Sequence, residues 1–270
     1  MTYVYYPELV DDSFWGDDVV LLNKDINLLE HTPCNSKGYG VFSCKNYSQF
    51  LQDFLQKRIS TILGKEIKIE DYHSLVNEEE HKKILNHMPY KKHEFEEFSN
   101  YIESYMSELL HEKVKIFNDD IWVRICRPNS SDDFNPCHRD VYLDFYKNTV
   151  NIYLPILGSN EKSSLLLQEG SHVWNENTTA VTRGGAHFKT KDKKYSVDAI
   201  VQSKIKLNMI RPNPSMDEVL VFSPYLIHGC SDNQNDITRM SLEVRFIKDD
   251  IHGLNQEKDI QEFIKNRLWR

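Results

Sequence analysis

Between Ser48 and Leu63 the apolar positions recur as Phe50, Leu51, Phe54, Leu55, Ile59, Ile62 and Leu63. That three-to-four spacing predicts an amphipathic helix, with Ser48 as its N-cap and Gly64 as its terminator. A second run, Phe95, Phe98, Tyr101, Ile102, Tyr105, Met106, Leu109 and Leu110, predicts a longer helix after the Met88-Pro89 break, with a stripe wide enough to cover a sheet. Beyond residue 113 the texture changes. The runs VKIF, IWVRICRP, TVNIYLPIL, SSLLLQE, EVLVFSPYLIH and RMSLEVRFI are rich in β-branched and aromatic residues, and clusters of Asn, Asp, Ser, Gly and Pro separate them. Helices first and strands after predict an α+β fold. Ile260, Phe263, Ile264 and Leu268 predict a short helix over 255–270.

With no internal repeat and no flexible linker, the chain reads as a single domain over 1–270. Its parts are a mainly helical flank over 1–112, a β core over 113–247 and a C-terminal helical piece over 248–270. One segment, 173–215, is too long for an ordinary connection between strands, and long connections inside compact domains act as lids or binding loops. It carries eight basic and three acidic side chains, a net +5 in a chain of net −8, so the remainder carries −13.

Composition narrows the classes. With 40% hydrophobic and 27% charged residues, the chain is neither disordered nor fibrous. Its acidic balance excludes a phosphate backbone as the main partner, so no nucleic acid is expected. No apolar run reaches membrane-spanning length, and the start lacks a basic stretch followed by an apolar one; a cytoplasmic protein without a membrane partner is expected. The five cysteines, Cys34, Cys44, Cys126, Cys137 and Cys230, form no CxxC pair and are expected to be reduced thiols.

The candidate chemistry begins at His138-Arg139-Asp140. In extended backbone His138 and Asp140 point to one side, so an imidazole and a carboxylate can converge on one ion. Ninety residues on, His228 ends the apolar run YLIH. Two histidines and a carboxylate from a short pair and a distant strand form a 2-His-1-carboxylate triad, which leaves positions on iron open for a co-substrate and oxygen. Eleven residues past His228, alternation puts Arg239, Ser241, Glu243 and Arg245 on one face of a strand and Met240, Leu242, Val244 and Phe246 on the other. In a small barrel that polar face can line a cavity, where a guanidinium binds a carboxylate bidentately.

Taken in order, His138-Arg139-Asp140, Gly170-Ser171-His172, His228 and Arg239-Met240-Ser241 resemble the Fe(II)/2-oxoglutarate-dependent dioxygenases, in particular their phytanoyl-CoA dioxygenase-like branch. The resemblance covers roughly residues 120 to 247. It implies a double-stranded β-helix, a jelly-roll or cupin-like barrel, flanked by the N-terminal helices, with 173–215 as a lid insert. It implies Fe(II) on His138, Asp140 and His228, with 2-oxoglutarate and O2 as co-substrates. Arg239 would pair the distal carboxylate of 2-oxoglutarate, assisted by Ser241; Asn151 and Tyr153, on one face of TVNIYLPIL, are the next contacts. The family's Pro-Gly-Ser-His stands here as Glu169-Gly170-Ser171-His172, and His172 is read as structural or as a neighbour of the ligands.

The implied reaction hydroxylates a C–H bond and releases succinate and CO2. Asp140 occupies the place that a halogenase needs for chloride, which disfavours halogenation; desaturation, epoxidation and ring closure use the same ligands. The basic segment favours a small anionic substrate, such as a nucleotide-linked sugar or carrier-bound acid, with Arg183, His187, Lys189 and Arg245 as contacts. A non-catalytic cupin-like metal- or sugar-binding protein is the alternative, and a zinc hydrolase a third reading that leaves Arg239 unexplained. The oligomeric state is open. His73, His81, His87, His93 and His111 lie in charge-rich sequence and are expected to be solvated.

Overall fold

The computed structural model describes residues 2–6, 28–182, 185–187, 194–195, 197–229 and 232–251. In chain order these form β1 (Tyr3–Val4), β2 (Tyr39–Ser43), α1 (Ser48–Leu63), α2 (Tyr72–Leu75), α3 (Glu78–Leu85), β3 (Tyr90–Lys91), α4 (Glu96–Leu110) and β4 (Val114–Cys126). Then follow β5 (Thr149–Leu157), β6 (Leu166–Leu167), β7 (Thr179–Val181), β8 (Ala186–His187), β9 (Lys194–Tyr195), β10 (Ile200–Ser203), β11 (Glu218–Phe222), β12 (His228–Gly229) and β13 (Arg239–Lys248).

α1 begins one residue earlier than its capping pattern suggests. Ser48 is its first residue, and its backbone N–H donates to Asn46 Oδ1 at 2.9 Å. The helix ends where Gly64 turns left-handed at φ 67°. α3 opens with a reciprocal capping box between Asn77 and Glu80. α1 and α4 bury Leu51, Leu55, Ile59, Phe98, Ile102 and Met106 against Val123, Ile152, Leu154, Leu242 and Val244 of an antiparallel six-stranded sheet. Its order is β2-β11-β5-β13-β4-β3. The helices thus take one face of the sheet, and alternation along β5 and β13 sends Asn151, Tyr153, Arg239 and Ser241 to the opposite face, all buried.

VKIF and IWVRICRP are one strand rather than two. Asn118 and Asp119, which read as turn residues, sit at φ 57° and 55° and make a bulge: Val244 faces Ile121 while Phe246 faces Ile116, so β4 spends five steps where β13 spends two. Asn and Asp tolerate the left-handed region, which is why the same residues that end strands can also bend one.

Across from the six-stranded sheet lies a layer of short pieces. β12 pairs with β6, His138 bridges His228, Leu167 bridges Ile210, and the Ile200 N–H donates to the Cys137 carbonyl at 2.7 Å. Tyr153, Leu220 and Phe222 of the main sheet pack there against Leu165, Leu167 and Leu226. The 173–215 segment contributes strands to this side, since β10 pairs with both β7 and β1. Its Arg183 and Lys189 lie outside the described residues, as do the His187 side chain and the helix expected over 255–270.

Two expectations are corrected. Cys137 is disulfide-bonded, whereas Cys34, Cys44 and Cys126 are free thiols. Spacing along the chain does not report which distant positions strand pairing brings together; Cys230 lies outside the described residues. His81 is buried rather than solvated: Nδ1 lies 2.8 Å from the Tyr72 hydroxyl and Nε2 lies 3.4 Å from Asp133 Oδ1. On the amphipathic α3 it falls on the inward face with Ile84, where two polar partners satisfy its ring. His87, His93 and His111 are exposed and His73 half-buried. No described helix is long and apolar enough to cross a membrane.

Candidate metal centre

His138 and His228 are drawn side by side by the backbone. Each N–H donates to the other residue's carbonyl, at 2.9 and 3.0 Å, and the two rings lie 4.4 Å apart between centroids. The same motif recurs on each ring: Nδ1 lies 2.7 Å from the Pro136 carbonyl in His138 and 2.8 Å from the Leu226 carbonyl in His228. A carbonyl accepts only, so each Nδ1 carries a proton, and in the neutral ring that leaves Nε2 as the lone-pair donor. Both Nε2 atoms face one oxygen of Asp140, Oδ1, at 3.5 and 3.7 Å. Asp140 starts a tight helical turn, Asp140–Tyr142, two residues after His138.

The second oxygen of Asp140 is fully occupied. Asn151 Nδ2 donates to Oδ2 at 2.9 Å, and Arg245 donates to it through Nε at 2.9 Å and Nη2 at 2.8 Å. The carboxylate is thereby locked with Oδ1 turned to the histidines. Burial alone would raise its pKa, but the Arg245 guanidinium on Oδ2 holds it well below the usual carboxylate range. Burial, reinforced by His138, brings His228 down to about 4, so its ring is neutral at pH 7.

The ligand atoms of His138, Asp140 and His228 lie within 4.8 Å of one another. Two bare imidazole nitrogens and one carboxylate oxygen, all buried and all oriented by outer partners, are a donor set that fits a divalent transition-metal ion. His172 stays outside this group: its Nε2 lies 2.8 Å from the Asn35 carbonyl. Ser171 braces the ligand strand instead, its hydroxyl accepting from the Ile227 N–H at 2.8 Å.

Beside the triad a cavity of about 760 Å³ opens, walled by His138, His228, Arg239, Arg245, Glu243 and Cys126, and farther out by Trp122, Arg124, Phe134 and α3 residues including Glu78, Lys82 and Leu85. Among the described residues none of its wall comes from 173–215. Arg239 is a buried cation of this cavity. Its Nη2 donates to Cys126 Sγ, its Nη1 lies 3.4 Å from Ser241 Oγ, and its Nε has no partner. Tyr153 lies under the guanidinium, 5.9 Å from the ring centroid, with its hydroxyl 2.6 Å from Ser159 Oγ.

Sequence reasoning placed Asn151 and Arg245 on the right faces but not against Asp140, because alternation reports a face and not the partner across it. It passed over Cys126, Trp122 and Arg124, although IWVRIC alternates and puts all three on the cavity side of β4.

Three outcomes are expected here. Arg245→Gln should weaken Co(II) or Fe(II) affinity by roughly 10–100-fold, the cost of losing an outer partner of a metal ligand, while the folded spectrum is retained; undiminished affinity in a metal titration would remove Arg245 from this role. Gly229→Ala should do comparable damage for a steric reason. Gly229 sits at φ 100°, and an added Cβ would lie 2.7 Å from the Pro136 carbonyl and 3.1 Å from His138 Nδ1, the pair that orients that ring.

The third concerns pH. His228 has a folded pKa of about 4, below the value near 6.5 of an unfolded chain, so as pH falls through that window the unfolded chain takes up a proton that the fold refuses. The stability it contributes above pH 6.5 is lost by pH 4, on the order of 3 kcal/mol. Urea unfolding of metal-free protein should show this loss, and His228→Gln should show less of it.

No protein-family model matches the chain, and no curated protein matches it. Solved structures do align with it. The non-heme monooxygenase ThoJ is 13% identical, over 82% of this chain and 77% of that one, at a TM-score of 0.48. AviO1 from Streptomyces viridochromogenes Tue57 is 12% identical, over 85% and 97%, at 0.47. The non-heme alpha ketoglutarate dependent epimerase SnoN from nogalamycin biosynthesis is 10% identical, over 80% and 79%, at 0.45. Likenesses this distant carry no argument about function, which rests on the chain's own residues.

Proposed function

We propose that this chain is an Fe(II)- and 2-oxoglutarate-dependent oxygenase on a double-stranded β-helix, hydroxylating a C–H bond of a small metabolite. The observation that carries the reading is the convergence of His138 Nε2, His228 Nε2 and Asp140 Oδ1, with the other side-chain polar atoms of the three residues, both Nδ1 atoms and Asp140 Oδ2, engaged by outer partners. A barrel is supported by the layer of short strands that faces the six-stranded sheet.

Fe(II) bound there supplies the coupling of 2-oxoglutarate decarboxylation to oxidation of the substrate by dioxygen. The chain's own part is positioning. His138, His228 and Asp140 would hold the ion beside the cavity. Arg239, a buried cation in the same cavity with no carboxylate of its own, is the seat for the distal carboxylate of 2-oxoglutarate, with Ser241 beside it and Tyr153 beneath. Asn151 Oδ1 has no partner among the described residues, while its Nδ2 is spent on Asp140. Arg245 and Asn151 keep Asp140 single-sided, and the apolar packing behind β5 and β13 keeps bulk water from the ligands.

A cavity of about 760 Å³ suits a small molecule alongside the co-substrate. The expectation of an anionic substrate rests on the +5 of the 173–215 segment, and among the described residues that segment does not wall this cavity. Succinate release with Fe(II), 2-oxoglutarate, oxygen and a metabolite panel tests the reading: release above a chelator-treated control supports it. Absence of both succinate release and 2-oxoglutarate binding overturns it.

A further inference from the structure

Arg239 is a buried guanidinium, and among the described residues no carboxylate pairs with it. What it touches instead is a thiol. Arg239 and Cys126 are cross-strand partners on β13 and β4, both on the cavity wall, and Nη2 donates to Sγ. The thiol's own proton is directed at the Asp133 carbonyl, 3.8 Å away, so the sulfur lone pairs are turned to the cation. Sulfur is a weak acceptor, and among the described residues Nε has no partner, which leaves this guanidinium under-satisfied.

We propose that Cys126 is a peroxide-sensitive modification site whose oxidation closes the anion seat at Arg239. The inference rests on the reading of Arg239 as the seat of the 2-oxoglutarate carboxylate. In the step, sulfur attacks one oxygen of hydrogen peroxide and the O–O bond breaks. An S–O bond forms, and the other oxygen leaves as water with the thiol proton. Sulfur loses two electrons and peroxide gains them. The new oxygen lies beside Nη2 and takes the donors that a carboxylate would use. Two equivalents of a thiol reductant return the cysteine, giving one disulfide of the reductant and one water. Cys34 and Cys44, also free and buried, pack in the helix-side core and provide internal controls.

The test uses the full chain loaded with Mn(II), so that iron–peroxide chemistry plays no part. Protein is treated with hydrogen peroxide, trapped with dimedone and mapped by mass spectrometry, with and without 2-oxoglutarate. The adduct is expected on Cys126 and not on Cys34 or Cys44. It should form about tenfold more slowly at a 2-oxoglutarate concentration about ten times its Kd, as competition for one seat requires. Peroxide-treated protein should bind 2-oxoglutarate at least about tenfold more weakly, dithiothreitol should restore it, and Cys126→Ser should keep its own untreated affinity through the treatment.

An unlabelled Cys126, a labelling rate indifferent to 2-oxoglutarate, or unchanged affinity after labelling overturns the inference, and none of these needs a variant to fold. The two layers separate through Arg239→Ala. If that variant binds 2-oxoglutarate as tightly as the natural chain, the reading of Arg239 fails and the inference with it. If it loses binding while Cys126 stays inert, the inference alone fails.

Discussion

Asp140→Ala should hold Fe(II) more weakly than any outer-partner variant, by more than the roughly 10–100-fold that such losses cost, and should release no succinate. The reason lies in the geometry of one carboxylate. Oδ1 is the single atom that both imidazole Nε2 atoms face, and Oδ2 already takes three donors, so nothing else nearby can replace it. Removing it also leaves the Arg245 guanidinium buried without its anion, so some stability is lost as well. Asp140→Asn separates the two effects: it keeps the shape and a neutral oxygen while discarding the charge. His138→Ala and His228→Ala should match Asp140→Ala in metal binding. Normal turnover by Asp140→Ala would refute the assignment.

The second large effect is expected at Arg239. Arg239→Ala should raise the Kd for 2-oxoglutarate by at least about thirtyfold, since truncating one partner of a buried charge pair costs roughly 2–5 kcal/mol. Arg239→Lys should recover part of this, because an ammonium keeps the charge but not the planar fork. Metal affinity should be untouched in both, as Arg239 contacts Cys126 and Ser241 rather than any of the three ligands. An unchanged Kd would leave Arg245 as the other cation on that strand face, yet Arg245 already spends two donors on Asp140, which makes it a poor second seat. Calorimetric titration of 2-oxoglutarate into Mn(II)-loaded protein reads the difference directly.

Much of this arrangement was legible along the chain. His138 and Asp140 stand two apart and His228 ends an apolar run, so both ends of the cluster carried a local mark. The polar face of β13 was written in simple alternation, and its burial follows from the helices claiming the other face. What could not be read were relations across space. Arg245 and Asn151 share a face with the site, but only the register of β13 on β5, which sets Arg245 opposite Asn151, turns both toward Asp140. Asn118 and Asp119 carried a turn signature and made a bulge, because the flanking residues on either side continue to pair with the same partner strand. His81 looked solvated in a run of charges, yet the helical period carried it inward to Tyr72 and Asp133.

The most direct measurement is anaerobic visible spectroscopy of the Fe(II)-loaded chain titrated with 2-oxoglutarate. Chelation of a facially held ferrous ion by a 2-oxo acid gives a charge-transfer band. This band is expected to grow to saturation at about one equivalent per chain, to be absent in Asp140→Ala and to require more 2-oxoglutarate in Arg239→Ala. A natural chain that binds Fe(II) and 2-oxoglutarate without the band, or an Asp140→Ala chain that shows it undiminished, would contradict the account.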